Sequence, residues 1–281
     1  MLICRRISEV RELVRTERGT GKIIGFVPTM GYLHQGHLQL MREAKKDCDM
    51  VVISIFVNPA QFGPGEDLER YPRDFERDHA LAAEVDVDAI FYPSVEEMYP
   101  PGFNTNVDLN SLTGCLCGKS RPGHFRGVAT VVTKLFNIVL PDRAYFGQKD
   151  AQQVLVIRRM AEDLNMPVEI VTVPTVREED GLAMSSRNVY LTPEQRRSAA
   201  VLFESLKAAE KAVEQGERDA GTILQLVRDM ISSVPEAGID YVELRNISDL
   251  NPVEVIDCPV LLALAVRFGQ TRLIDNTVLE V

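Results

Sequence analysis

Several features are missing from this 281-residue chain, and each absence removes a class of function. No apolar run approaches the ~20 residues that a bilayer-spanning helix needs. The opening stretch, Met1-Leu2-Ile3-Cys4-Arg5-Arg6, has no apolar core of the signal-peptide kind, so secretion is not expected. Basic residues are the minority charge: 31 Lys and Arg stand against 41 Asp and Glu, for a formal net charge of −10 and an isoelectric point near 5.0. A nucleic-acid face needs a basic stripe, and this balance argues against one. The five cysteines are odd in number and do not form a disulfide framework. Cys115 and Cys117 make a lone C-x-C with no second pair, which speaks against structural zinc. Reduced thiols in a cytoplasmic protein are the expectation. Internal repeats and low-complexity tracts are absent too. What is present is ordinary for a globular chain, 45% hydrophobic and 26% charged, long enough for one large or two modest domains.

Histidine is scarce, with four in the chain, yet two of them fall three residues apart in His34-Gln35-Gly36-His37. This stretch follows the apolar run Ile23-Ile24-Gly25-Phe26-Val27 and the loop Pro28-Thr29-Met30-Gly31-Tyr32-Leu33. It precedes a helical pattern from Leu38 to Lys46 and a second apolar run, Met50 to Val57. Strand, glycine-containing turn, helix and strand in this length make one βαβ unit. Both imidazoles then sit where a helix begins, and unpaired N–H groups there favour an anion. Such a site can hold a phosphate and stabilise charge developing on it.

A second cluster lies about 150 residues on. Met184-Ser185-Ser186-Arg187-Asn188 follows Gly181-Leu182-Ala183, and two hydroxyls with a guanidinium fork suit a polyphosphate. Together, His34-x-Gly-His37 and this run resemble the HIGH and KMSKS signatures of class I adenylating enzymes. Further stretches narrow the match: Pro28-Thr29-Met30-Gly31, Phe56-Val57-Asn58-Pro59-Ala60-Gln61-Phe62, Arg121-Pro122-Gly123-His124-Phe125-Arg126-Gly127-Val128 and Phe146-Gly147-Gln148-Lys149-Asp150. In this order they resemble the pantothenate synthetase family of pantoate–β-alanine ligases, over about residues 3–280. Tyr32 and Gln35 stand where that family often has Ala and Glu, and Gln148 where it often has Glu.

The remaining pattern implies an α/β fold. After the βαβ unit come a Gly/Pro-containing loop (58–72), a helix from Asp74 to Val85 and a strand, Ala89 to Tyr92. The polar, proline-rich segment 93–122 reads as loop with a short strand. A helix from Phe125 to Leu140, a strand end at Ala144-Tyr145-Phe146, a helix from Asp150 to Asn165 and a strand from Val168 to Val173 follow. Strands alternating with helices predict a Rossmann-like, doubly wound parallel sheet, with ligands at the carboxyl ends of its strands. Two helices, Pro193 to Gln215 and Asp219 to Ser233, then precede strands at Tyr241–Leu244, Val260–Phe268 and Thr271–Asp275. Gly269-Gln270 signals a hairpin between the last two. This last third reads as a smaller C-terminal α+β domain. The boundary is expected near Thr175: residues 1–175 for nucleotide and pantoate, 176–281 as a lid.

The resemblance also implies chemistry and roles. Pantoate is activated by ATP as pantoyl-adenylate, and β-alanine then displaces AMP. His34, His37 and Lys149 are the implied catalytic residues. Met30, Gly147, Asp150, Val176, Met184, Ser185, Ser186 and Arg187 join them around ATP, with Gly147 and Asp150 toward the ribose. Gln61 and Gln153 are the implied pantoate ligands, Gln61 serving β-alanine as well. The family's proton donor falls on His37, which the chemistry casts mainly as a charge stabiliser. Mg²⁺ is expected to ride on phosphate oxygens with few protein ligands. A homodimer is expected, without nucleic-acid or membrane partners. The residues themselves leave open whether Arg121, His124 and Arg126 serve phosphate or cap a helix, and whether Tyr71 closes the pocket. His79 is expected at the surface. Two rivals are a nucleotidyltransferase acting on a phosphate ester and an ATP sensor without turnover.

Overall fold

Every residue of the apolar run Met50–Ile55 is buried, which is the pattern of a strand covered on both faces. The computed structural model describes residues 1–280 and places that run third among nine strands. In chain order the first part contains β1 (Leu2–Cys4), α1 (Ile7–Gly19), β2 (Ile24–Thr29), α2 (Gln35–Asp47), β3 (Met50–Ile55), α3 (Phe75–Ala83), β4 (Ala89–Phe91) and α4 (Val95–Met98). Then come α5 (Leu116–Ser120), α6 (His124–Val139), β5 (Arg143–Gly147), α7 (Ala151–Asp163) and β6 (Glu169–Val173). The last part contains α8 (Pro193–Ser198), α9 (Val201–Glu214), α10 (Ala220–Ser232), β7 (Ala237–Asn246), β8 (Val260–Phe268) and β9 (Thr271–Leu279).

Two compact units result. The first comprises Met1–Asn110, Arg121–Gln148 and Gln153–Pro174; the second comprises Ser111–Ser120, Lys149–Gln152 and the chain from Thr175 onward. Within the first, six strands pair in the order β1-β4-β3-β2-β5-β6, every pair parallel. The chain steps outward from β2 through β3 to β4, then returns to β5 on the other side of β2. The sheet therefore changes winding direction between β2 and β5. In an open α/β sheet this is where a ligand binds, beyond the carboxyl ends of the strands. The loop carrying His34 follows β2, and Gly147 ends β5. The core here joins Val27, Leu38, Met41, Ile53 and Ile90.

The second unit has an antiparallel sheet, β7-β8-β9. β8 turns into β9 through Gly269-Gln270, with Phe268 opposite Thr271 and Gly269 at φ +59°, as a two-residue hairpin demands. Leu202, Leu206 and Val213 of α9 and Ile223, Val227 and Ile231 of α10 form one core with Leu262, Leu264 and Val266 of the sheet.

The fold class matches the expectation, while several elements differ from it. β1 and α1 carry no strong sequence signal: the strand has three residues, and the helix buries Val10 and Val14 alone. Among the described residues, 93–122 holds the short helices α4 and α5 and no strand. Ser94 starts α4 by accepting the N–H of Glu97 on its hydroxyl. The single helix expected from Pro193 to Gln215 breaks between α8 and α9. There Ala200 and Leu202 donate to carbonyls three residues back, tightening the turn. α2 starts at Gln35, three residues before the expected Leu38, because His34 caps it.

In the second unit, Arg177 grips Asp275 with two bonds, 2.6 and 3.0 Å, and a third to the Gly181 carbonyl at 3.0 Å. The Asp275 side chain is almost completely buried. Removing one partner of such a pair strands the other charge, at roughly 3–5 kcal/mol. Asp275→Ala should lower the unfolding free energy by that measure and move the urea midpoint, followed by circular dichroism, downward; an unchanged midpoint would show that the pair does not hold β9 to the 175–184 segment.

Candidate active site

The two histidines cap one helix together. His34 is the N-cap residue of α2, with an extended backbone, and its Nδ1 accepts the N–H of Gly36 at 3.1 Å. The backbone N–H of His34 in turn donates to Nδ1 of His37 at 3.3 Å. This is the capping-box arrangement with imidazoles in place of hydroxyl and carboxylate. The rings touch, with centroids 4.0 Å apart and planes inclined by 41°. Because each Nδ1 accepts from a backbone donor, each neutral ring carries its proton on Nε2. The start of the helix therefore carries two imidazoles with their neutral-form proton on Nε2 beside the switch point, while Gly36 spends its own N–H on His34.

Gln61 is held just as closely. Asn58 donates from its side-chain amide to Gln61 Oε1 at 3.1 Å and to the Gly127 carbonyl at 3.1 Å. Tyr99 donates its hydroxyl to Asn58 Oδ1 at 2.8 Å. Burial pushes the Tyr99 phenol up to about 12, so it stays a donor through the neutral range. Asn58 fixes which end of the Gln61 amide is nitrogen. That nitrogen donates to the Met30 sulfur at 3.2 Å, a weak acceptor that a carboxylate would outcompete. Met30 itself lines a cavity of about 490 Å³ with Tyr32, Phe56 and Phe75.

The Gln61 backbone gathers two members of the basic cluster. Its carbonyl accepts from His124 Nδ1 at 2.9 Å and from Arg121 at 3.3 Å. Arg121 also donates to His124 Nε2 at 3.1 Å, which assigns the proton of a neutral ring to Nδ1. Two further bonds, 2.8 and 2.6 Å, tie Arg121 to Glu66. Burial alone would raise the Glu66 carboxyl, but the Arg121 guanidinium outweighs it and holds that carboxyl below the usual range. Arg126 does not join them. Two residues beyond His124, it pairs with Asp108 at the surface. Tyr71 is buried against Phe62, ring centroids 6.0 Å apart. His79 is half-buried and packs near Phe75, rather than standing at the surface.

Gly147 ends β5 and Gln153 lies half-buried on α7. In the second unit, Asn276 donates to the Lys149 carbonyl at 2.9 Å, and Lys149 Nζ lies 3.9 Å from Asp150. Gln152 donates to the carbonyls of Leu112 and Cys115, each at 2.9 Å, and accepts the Cys117 N–H at 2.9 Å. Val176 and Met184 meet directly: the Met184 N–H donates to the Val176 carbonyl at 3.0 Å. Ser186 and Arg187 lie in the 3₁₀ turn Ser186–Tyr190, which Ser185 caps by accepting the Arg187 N–H on its hydroxyl oxygen at 3.3 Å. That contact leaves the Ser185 O–H able to donate. The structure thus groups His34 with His37, Met30 with Gln61, Lys149 with Asp150, and Val176 with Met184. Supporting residues that the motifs did not assign are Asn58, Asp78, Gln152 and Asn276. Only Asn58 had a local signal, the Asn-Pro pair that opens a 3₁₀ turn.

Fold and geometry define a nucleotide-binding α/β enzyme with an imidazole-capped helix at its switch point. The model of the family described as Pantoate-beta-alanine ligase matches residues 2–278. A pantothenate synthetase of Pelotomaculum thermopropionicum is 68% identical over 279 residues, covering 99% of each chain. The crystal structure of pantothenate synthetase from Thermus thermophilus superposes with a TM-score of 0.94 at 50% identity, covering 99% of each chain. A pantoate–β-alanine ligase from Francisella tularensis, solved with β-γ ATP and β-alanine, superposes with a TM-score of 0.80 at 33% identity, covering 99% of this chain and 97% of that one. The chain belongs to the pantoate–β-alanine ligase family. As a member it catalyses the ATP-dependent joining of pantoate to β-alanine, forming pantothenate.

One glycine sets the distance on which the Gln61 network depends. A Cβ on Gly127 would lie 2.2 Å from the Ala60 carbonyl oxygen and 2.6 Å from the Gln61 nitrogen. Elsewhere in a helix, Gly→Ala stabilises by roughly 0.5–1 kcal/mol. Gly127→Ala should do the opposite, destabilising by about 1–3 kcal/mol as overpacking does. Urea unfolding reads the sign directly, and a stabilised variant would refute the close approach.

Proposed function

We propose that the reaction runs through pantoyl-adenylate. A pantoate carboxylate oxygen attacks the α-phosphorus of MgATP, and pyrophosphate leaves with the electron pair of the broken P–O bond. The β-alanine amine then attacks the acyl carbon and AMP departs. Phosphoryl chemistry of this kind needs positioning and charge neutralisation more than covalent help. The observation that carries this reading is the pair of imidazoles whose Nδ1 atoms are turned to backbone N–H groups, so that both rings act as Nε2–H donors. His37 and His34 stabilise the charge that builds on the phosphates, and Lys149, Ser185, Ser186 and Arg187 hold the departing pyrophosphate. Met30 and Val176 form walls for the nucleotide, Met184 also lies against ATP, and Gly147 and Asp150 take the ribose.

Gln61 and Gln153 bind pantoate, and Gln61 also meets β-alanine. An amide donates to the carboxylate and accepts from a hydroxyl, which fits a hydroxy acid. Mg²⁺ enters as part of the nucleotide. A cation of this kind is carried mainly by phosphate oxygens and asks little of the protein. The family resemblance supports a cytoplasmic homodimer working on small molecules. The acidic charge balance fits the lack of a nucleic-acid partner, and among the described residues no helix is long and apolar enough to cross a membrane.

Isotope exchange between pyrophosphate and ATP tests the order of events. It should require pantoate but not β-alanine. Exchange that needs an added phosphate ester in place of pantoate would mean transfer to that ester, and no exchange with either acceptor would mean an ATP sensor. Arg121 and Arg126 are engaged with Glu66 and Asp108, which disfavours a phosphorylated acceptor.

Two substitutions test the roles. His37→Ala should lower turnover by roughly 10²–10³, the scale of one preorganised charge stabiliser, with thermal unfolding nearly unchanged; wild-type turnover would remove His37 from the chemistry. Gln153→Ala should weaken pantoate by about 1.5–3 kcal/mol, read as a rise in its KM well beyond that for ATP. Equal rises would assign Gln153 to the fold or the nucleotide instead.

A further inference from the structure

The loop that delivers His34 is strained and has to be held. Gly31 and Tyr32 are consecutive residues with positive φ, +80° and +48°. Glycine adopts this region freely, while a tyrosine there costs roughly 1–2 kcal/mol. The turn aims two successive backbone N–H groups at one point, and the Asp78 carboxylate occupies that point. Its Oδ2 accepts from Tyr32 at 2.7 Å and its Oδ1 from Leu33 at 2.6 Å. Asp78 lies on α3, 46 residues away, and is 1% exposed. Arg77, the residue before it, places its guanidinium 4.7 Å over the Tyr32 ring and 3.6 Å from Asp78 Oδ1. The fit has no slack: a Cβ on Gly31 would lie 2.8 Å from Asp78 Oδ2 and 2.9 Å from Ile55.

A carboxylate this deeply buried carries a desolvation cost, and burial does push the Asp78 carboxyl up, against the opposing pull of the two amides. The residue it fixes, Leu33, directly precedes His34. His34 must accept from Gly36 and lie against His37, so a displaced loop would move both rings. A misplacement of about 1 Å at a reacting centre can cost on the order of 10² in rate.

We propose that Asp78 is a positioning residue for the reaction: by clamping the amides of the Gly31-Tyr32-Leu33 turn, it sets where His34 and His37 hold their Nε2–H groups. This rests on the reading of His37 as a charge stabiliser. A purely structural Asp78 would change stability and leave turnover per folded molecule alone.

Asp78→Asn keeps the volume but turns one acceptor into an NH₂ group that faces a backbone N–H. Expected are a fall in kcat of roughly 10–100-fold, pantoate and β-alanine KM values within about threefold, and shifted imidazole NMR signals for His34 and His37. In a His37→Ala background the same change should cost several-fold less than in the wild type, because the part of its effect that passes through His37 is gone while the part through His34 remains. Tyr32→Gly, which takes positive φ without strain, should recover part of the loss in Asp78→Asn. If Asp78→Asn does not fold, Arg77→Gln at the exposed neighbour gives the same readouts: a kcat loss of about two- to fivefold that His37→Ala suppresses. Equal losses in both backgrounds, or unmoved imidazole signals, would overturn the clamp. Shifted signals together with full turnover in His37→Ala would instead overturn the histidine's role, and with it the catalytic meaning of the clamp.

Discussion

The reciprocal capping of His34 and His37 is the contact on which the rest of this chemistry depends. Each imidazole accepts a backbone N–H on Nδ1, so neither ring is at liberty to choose its tautomer. Ordinary N-caps are hydroxyls or carboxylates, which satisfy the helix start and do nothing else. An imidazole satisfies it with one nitrogen and keeps a donor on the other. The same few atoms thus start α2 and arm it. The glycine between the histidines brings its backbone N–H to His34 at 3.1 Å.

The surrounding fold serves to hold such pairs in place. The reversal of strand order between β2 and β5 brings the histidine loop and Gly147 to one edge of a sheet. Gln61 is fixed from three directions: Asn58 on its amide oxygen, His124 and Arg121 on its carbonyl, and the bare Gly127 behind its nitrogen. In the second unit Asn276 holds the Lys149 carbonyl. The pattern in both units is a backbone pinned by buried side chains from distant elements, so that the side chain it carries has one position. Preorganisation of this sort is where an enzyme that stabilises developing charge derives most of its effect.

Much of this was legible in the chain. The βαβ unit around His34 and His37 reads from local pattern alone, and the long helix α6 and the hairpin at Gly269-Gln270 do too. Val176 and Met184 were both expected around ATP, and the Met184 N–H donates to the Val176 carbonyl. The less legible parts share a physical cause. β1 and α1 are short or weakly apolar, and propensity is a weak guide when tertiary contacts decide. The bonds from Asp78 to Tyr32 and from Asn276 to Lys149 span 46 and 127 residues, and no local period announces them. Arg126 looked like part of a basic cluster, but residues two apart on a helix do not face the same way, and it turns to Asp108 instead.

The tautomers of His34 and His37 test the account most directly. Two-bond ¹⁵N–¹H correlation spectra of ¹⁵N-histidine-labelled protein, near neutral pH and without substrate, distinguish protonated from unprotonated ring nitrogens. The account predicts that both residues have an unprotonated Nδ1 and a proton on Nε2, while His124 shows the reverse. A proton on Nδ1 of either His34 or His37 would contradict the capping arrangement and, with it, the donors assigned to the phosphates.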